Sequence, residues 1–466
     1  MARGPGLGYS SPPMETTSLL ARALPVLALA PLLILGLCAV LALTRRLPSP
    51  AGRTLVIVVG MRPLLSAAWQ FTFTSSPVGL SWNALSSVLF FAAGLFVLRR
   101  RSISLLVLAP FVPLLGVSVL SGAMNDALPD LATYATKLGY LIVVALLVVD
   151  ASERHGGDAV MRTLALALAS PLVLQLAGLA LGVVKQSEAD GSAAYIGGYQ
   201  HEASFAVLLC GTMLAICLVR RIDFRLKLAM VGWVLVGLLL ANYRTALLAI
   251  APLVALSLLA DGARRFLPGQ RAIVGAMLAV LIAAAGLGMA VTLRERFADV
   301  GVLVSRNTDL IKPPRTFTVE DRRVMNARPL IWSQYYYTWE EGTPMQHAFG
   351  FGPETWIGKF RVYAHNTLVS ALYEVGVVGV ACYLLLWGWF LLLAFLVPGP
   401  VRAILVAGHL AFFLLNMATM PMWSIEGLIY YGLLCGYTAY QVRGRLRGPA
   451  QAPVAPRFAR TAAARA

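Results

Sequence analysis

The chain has 466 residues, 59% of them hydrophobic and 13% charged, with a mean hydropathy of +0.75. Soluble domains carry about 25% charged residues, so this composition excludes a water-soluble globular protein and predicts an all-α, polytopic membrane protein. The net charge of +17 does not point to nucleic acid, because the basic residues gather in short loops and the tail, as the positive-inside rule requires.

Residues 1–18 read as an N-terminal tail. Apolar runs of the length that crosses a bilayer, about 20 residues, follow near 19–43, 54–73, 82–98, 103–121, 133–149, 160–184, 202–219, 226–243, 245–260, 272–293, 366–397, 401–420 and 425–442. These predict a helical bundle of 12 or 13 spans over 19–293 and 365–443, with one large loop at 294–364. The second run is the uncertain span, since Arg62-Pro63 interrupts it and a mid-membrane charge is costly. The first run lacks a small-residue cleavage site and is followed by Arg45-Arg46, so it reads as a retained helix and not as a signal peptide.

Arg99-Arg100-Arg101, Arg220-Arg221, Arg264-Arg265 and Arg443, Arg445 and Arg447 mark cytoplasmic connections, whereas 74–81, 122–132 and 421–424 carry no Lys or Arg. Alternate counting then puts the 294–364 loop on the opposite, trans face and the C-terminus inside. The side of the N-terminus turns on whether the second run spans. Residues 444–466, rich in Ala, Pro and Arg, read as a disordered cytoplasmic tail. Cys38, Cys210, Cys217, Cys382 and Cys435 all lie in apolar runs without a CxxC pair, which favours free buried thiols over a disulfide or metal site.

The stretch 226–260 is interrupted only at Asn242-Tyr243-Arg244-Thr245. A single helix of that length would overshoot the bilayer by roughly 20 Å, so the stretch must be a hairpin. Both its ends are basic, which sends Arg244 to the trans face. The same parity places the 185–201 connection there, with His201 and Glu202 opening the next helix. Arg244 can snorkel to lipid phosphate or grip a phosphate group in bidentate fashion.

The 294–364 loop holds ten Lys/Arg and eight Asp/Glu, so it is no polybasic patch; its twelve aromatics in 71 residues stand out more. They suit an interfacial belt or a platform on which sugar C–H faces stack, with Trp332 and Tyr336 as candidates. Arg328-Pro329 reads as the entrance to a helix, with Pro at an early position, and Gly350-Phe351-Gly352-Pro353-Glu354 as a tight turn. His365 stands at the mouth of the next helix, which Asn366 or Thr367 can cap. A helix entering the membrane from the trans side offers amide groups to an anion, and His365 could serve there as acid or base. Glu374 falls within the same span, as a partnered charge or a site component. His155, His347 and His409 are weaker candidates.

Leu240-Ala241-Asn242-Tyr243-Arg244-Thr245-Ala246-Leu247, then Arg328-Pro329-Leu330-Ile331-Trp332, Gly350-Phe351-Gly352-Pro353, Ala364-His365-Asn366-Thr367-Leu368 and Glu374-Val375-Gly376-Val377-Val378-Gly379 together resemble the bacterial O-antigen ligase and O-antigen polymerase superfamily over about 195–395. The resemblance implies a metal-independent glycosyltransferase of the cytoplasmic (inner) membrane, needing no cofactor. It would move a glycan from an undecaprenyl-pyrophosphate donor to a glycan or lipid acceptor on the trans face. Carried over by motif, Arg244, Arg328 and His365 would be catalytic, with Asn366, His201, Glu202, Trp332, Tyr336 and Glu374 as substrate contacts. Two departures stand out: Asn242-Tyr243 replaces the usual Ser before the hairpin Arg, and His201-Glu202 replaces an Asn. Ligase and polymerase share these residues, so both stay open. A transporter or lipid flippase is the reading from another class; such proteins often carry inverted repeats and midplane charges, and no repeat is apparent here.

Overall fold

The computed structural model describes residues 23–186, 193–292 and 310–447. The expectations for the N-terminal tail, for the C-terminal tail from 448, and for the first part of the loop to Asp309, Phe297 included, lie outside the described residues.

The architecture is all-α apart from a two-stranded ribbon pairing Lys185–Gln186 with Ala193–Ala194. The main helices are α1 (Val26–Thr44), α2 (Pro50–Ala67), α3 (Trp82–Val97), α4 (Phe111–Met124), α5 (Leu128–His155), α6 (Gly157–Ala167), α7 (Ser170–Ala180), α8 (Glu202–Leu218), α9 (Phe224–Leu240) and α10 (Arg244–Ala263). They are followed by α11 (Arg271–Thr292), the loop helices α12 (Arg328–Glu340) and α13 (Pro344–Phe349), then α14 (Thr367–Leu396), α15 (Val401–Asn416) and α16 (Ile425–Arg447). Among the described residues, six helical segments are long and apolar enough to cross a membrane: α1, α5, α6 with α7, α10, the segment Pro268–Gly288 and α14. Helices α3, α4, α8 and α15 are apolar but shorter. Leu27 and Phe96 are each 92% exposed, as side chains that face lipid in place of water would be.

Local chemistry explains where many helices start. Ser49, Ser81, Asp223, Thr343 and Asn366 cap α2, α3, α9, α13 and α14 with side-chain oxygens on first-turn amides, each satisfying donors the helix cannot. Pro50 and Pro329 sit in first turns, where a missing N–H costs nothing. The predicted hairpin is present as α9 and α10, and Asn242 between them adopts φ 53°, a left-handed conformation Asn tolerates better than most residues.

The two ends of the bundle differ. At the basic end, Arg99 and Arg154 pair with Asp150, Arg443 and Arg447 with Glu153, and Arg220 and Lys227 with Asp261. Arginines that mark topology therefore also lock helix ends together. Helix α16 continues to Arg447, four residues into the expected tail.

At the opposite, loop end, residues 310–364 fold back over the bundle. Ile331, Tyr335, Trp356, Ala364, Tyr373 and Met420 form a small core separate from that of the bundle. Tyr335, fully buried, stacks on Phe360 at 3.9 Å and donates its hydroxyl to the Val362 carbonyl. Much of the aromatic surplus thus builds the loop's own core, a use that neither a belt nor a sugar platform anticipates.

This loop docks on a break in α14. At Gly376 the backbone leaves helical geometry with φ 68°. Amides of Phe351 and Gly352 bond the Tyr373 and Glu374 carbonyls, each at 2.9 Å, so acceptors near the break are satisfied from outside the helix. The approach leaves no room for side chains: a Cβ on Gly376 would lie 2.3 Å from the Ala348 carbonyl oxygen, and one on Gly350 2.3 Å from the Glu374 carbonyl carbon.

Candidate active site at the loop end

The N-terminus of α14 is the anchor. Asn366 accepts from the amides of Leu368 and Val369 and donates to the Met417 carbonyl, so its side chain is occupied in fixing the helix start. His365, one residue earlier, takes φ 54°, which turns the chain sharply into the helix. Trp332 of α12 donates its indole N–H to the Ala364 carbonyl at 2.9 Å, tying the loop helix to the residue before His365.

Around His365 stand groups from three other parts of the chain. Tyr363 lies against its ring with centroids 4.0 Å apart. Burial and the nearby Arg328 guanidinium depress the imidazole to a pKa of about 4. Arg328 also acts on Tyr363 and on Tyr243, the residue before Arg244; Glu202 acts on both phenols in the opposite sense, while burial, the largest influence, pushes them up. His365, Arg328, Tyr243 and Glu202 come from the starts of α14, α12, α10 and α8. The hairpin Arg244 is the first residue of α10 and is half-buried.

The caps around this cluster share a feature. His201, Tyr243 and Ala327 precede α8, α10 and α12 without a side-chain cap bond. Three helix starts with uncapped amides beside two arginines make an environment suited to an anion. Lys185 adds a further cation, 3.6 Å from Glu202 and bonded to the Gln200 carbonyl.

Two sequence candidates sit apart from this cluster. Tyr336 packs edge-on against Tyr337 and tilted against Trp339 on α12. Glu374 is buried in a second polar group, where it accepts the Glu354 amide at 2.6 Å and the Ser370 hydroxyl. Glu354 in turn pairs with Lys137 at 2.5 Å and accepts the Trp423 indole N–H at 2.9 Å. The link back to His365 is aromatic: Lys137 lies over the Trp423 ring at 4.7 Å, and Trp423 stacks on Tyr363 at 5.5 Å.

Sequence reasoning missed Lys137, Glu354, Tyr363 and Trp423 as neighbours of the site. Glu354 was legible as the end of a glycine turn, but nothing in the sequence couples it to Lys137, which is 217 positions away. Among the described residues no group of His, Cys, Asp or Glu could hold a metal ion. No known family model matches the chain, and no curated protein matches it.

Proposed function

We propose that this protein is a membrane glycosyltransferase of O-antigen ligase or polymerase type, acting on an undecaprenyl-pyrophosphate-linked glycan at the trans face. The observation that carries the reading is the meeting of His365, Arg328, Tyr243 and Glu202 at one end of an apolar bundle, beside the hairpin Arg244. A lipid-linked pyrophosphate needs a cationic site at the membrane boundary, and Arg328 and Arg244 at the starts of two helices at one end of an apolar bundle support that reading.

In this reading Arg244 and Arg328 hold the pyrophosphate and stabilise charge on the leaving group, a role for which preorganised donors are effective. His365 takes the proton of the acceptor hydroxyl. Its depressed pKa of about 4 keeps the imidazole neutral and able to accept a proton near pH 7. The acceptor oxygen then bonds the anomeric carbon as the bond to the pyrophosphate oxygen breaks.

The test is single replacement of Arg244, Arg328 and His365 by Ala, with glycan transfer assayed in membranes and insertion checked separately. Properly inserted variants should lose transfer by about 10²-fold or more; unchanged transfer refutes the assignment. Mass spectrometry of glycans accumulating without the protein separates the two types. Single repeat units on the lipid indicate a polymerase, and long lipid-linked chains a ligase.

One observation favours the second reading, a transporter or flippase: the buried pair Arg62–Glu426, at 2.8 Å, resembles the intramembrane charges of transporters. Liposomes given donor and acceptor on the outside only discriminate, because transfer then proceeds without translocation.

A further inference from the structure

A cavity of about 610 Å³ lies beside the His365 cluster, between the loop ends of α2, α3, α5, α8 and α16. Its volume falls within the range of about 300–1,000 Å³ usual for small-molecule sites. Trp423 and His201 belong to its wall, and Trp423 stacks on the same Tyr363 that lies against His365.

The floor is a buried polar group. Arg62 and Glu426 are 5% and 4% exposed and joined at 2.8 Å. Asn83 accepts from Arg62 Nη1 at 2.6 Å, and the Ser66 hydroxyl donates to Glu426 Oε1 at 2.6 Å. Arg62 Nη1 also reaches the Ser87 hydroxyl at 3.5 Å. Tyr140 is 1% exposed and also lines the cavity, and its hydroxyl has no hydrogen-bond partner among the described residues. Buried polar atoms left unpaired are costly, and the Tyr140 hydroxyl beside this cavity points to a ligand that completes it.

The character of that ligand follows from charge. Arg62 is balanced by Glu426, and Lys137, at the cavity edge, by Glu354. A balanced floor offers no net attraction to an anion, which separates this cavity from the arginine cluster around His365. The unpartnered Tyr140 hydroxyl, next to a neutralised polar floor, matches a hydroxyl group, which like it both donates and accepts. Phe73, Leu80 and Val88 give the remaining wall an apolar surface, suited to a sugar's C–H face or the start of an apolar carrier.

We propose that this cavity binds an uncharged, hydroxyl-rich glycosyl group, the end of the acceptor that faces His365. The inference rests on the transferase reading for the word acceptor, while the sugar site itself is testable without any transfer.

The experiment uses the full chain in lipid nanodiscs with no donor present. Alkyl glycosides of glucose, galactose and N-acetylglucosamine, each with a diazirine on the first chain carbon, are photolysed and the adducts mapped by mass spectrometry. At least one should label the segments Phe73–Ser87 or Trp423–Glu426 above a sugar-free alkyl diazirine, and inorganic pyrophosphate should not displace it. Thr133 is exposed at the cavity edge, so Thr133→Trp fills the mouth without touching the buried pair, and labelling should fall to the sugar-free level. Equal labelling by the sugar-free probe, displacement by pyrophosphate, labelling by none of the sugars, or undiminished labelling of Thr133→Trp each overturns the proposal. None of these outcomes touches the His365 and arginine variants, so the two readings fail separately.

Discussion

At the scale of single residues, the proposed chemistry turns on His365. Its imidazole is depressed from 6.5 to about 4, by burial first and by Arg328 second. A depressed base stays neutral down to that lower pKa and is lost as a proton acceptor only below it. The acid limb of kcat/KM, which reports the free enzyme, is therefore expected near pH 4 and not near 6.5. Replacing Arg328 by Gln removes one cause of the depression, so the limb should move upward while donor binding weakens by about 1.5–3 kcal/mol, the worth of a charge-assisted hydrogen bond. A wild-type limb at 6.5, or one that Arg328→Gln leaves in place, would sink the role given to His365. The left-handed backbone at this position, φ 54°, also selects the cleanest control. His365→Asn keeps a residue that tolerates this conformation, so it should fold normally while transfer drops about 10²-fold or more.

At the scale of elements, the break in α14 and the glycine turn of the loop act as one unit. A side chain at Gly376 would meet backbone at 2.3 Å and would also strain a φ of 68°. Gly376→Ala is therefore expected to destabilise by about 2 kcal/mol or more, read as a lower Tm in detergent, with faster proteolysis between Phe351 and Phe360. Asn366→Ala should cost only about 1 kcal/mol, the usual value of a lost cap. A smaller effect for Gly376→Ala than for Asn366→Ala would refute the docking role. What the sequence made legible here was local: the hairpin from the span of its apolar run, the helix start at Arg328-Pro329, and Asn366 as a cap. It also exposed both glycine motifs, but separately, since their contact is set by where a loop lands on a helix. The Arg62–Glu426 pair spans 364 positions, so Arg62 reads in isolation as a reason to doubt α2. Buried beside its partner, it instead ties α2 to α16.

At the scale of the whole molecule, the two ends of the bundle have opposite designs. One end is held by arginine–carboxylate pairs at helix termini; the other gathers helix starts, the folded-back loop and the Arg62 cavity. The positive-inside rule predicts that the first faces the cytoplasm and the second the trans side, and labelling of introduced cysteines tests this prediction. Four native cysteines are buried and only Cys38 is exposed, so Cys38→Ser gives a quiet background. On that background, Ser75→Cys between α2 and α3 and Met345→Cys in the loop should react with an impermeant maleimide added to intact cells. Arg100→Cys, between α3 and α4 at the basic end, should react only after the membrane is opened. The reverse pattern would put the His365 cluster in the cytoplasm. That outcome would refute the proposed transfer at the trans face. Labelling of Ser75→Cys and Met345→Cys from opposite sides would be more damaging still. The cavity and the loop must share one face for Trp423 and Tyr363 to stack, and the proposed acceptor site would lose its route to His365.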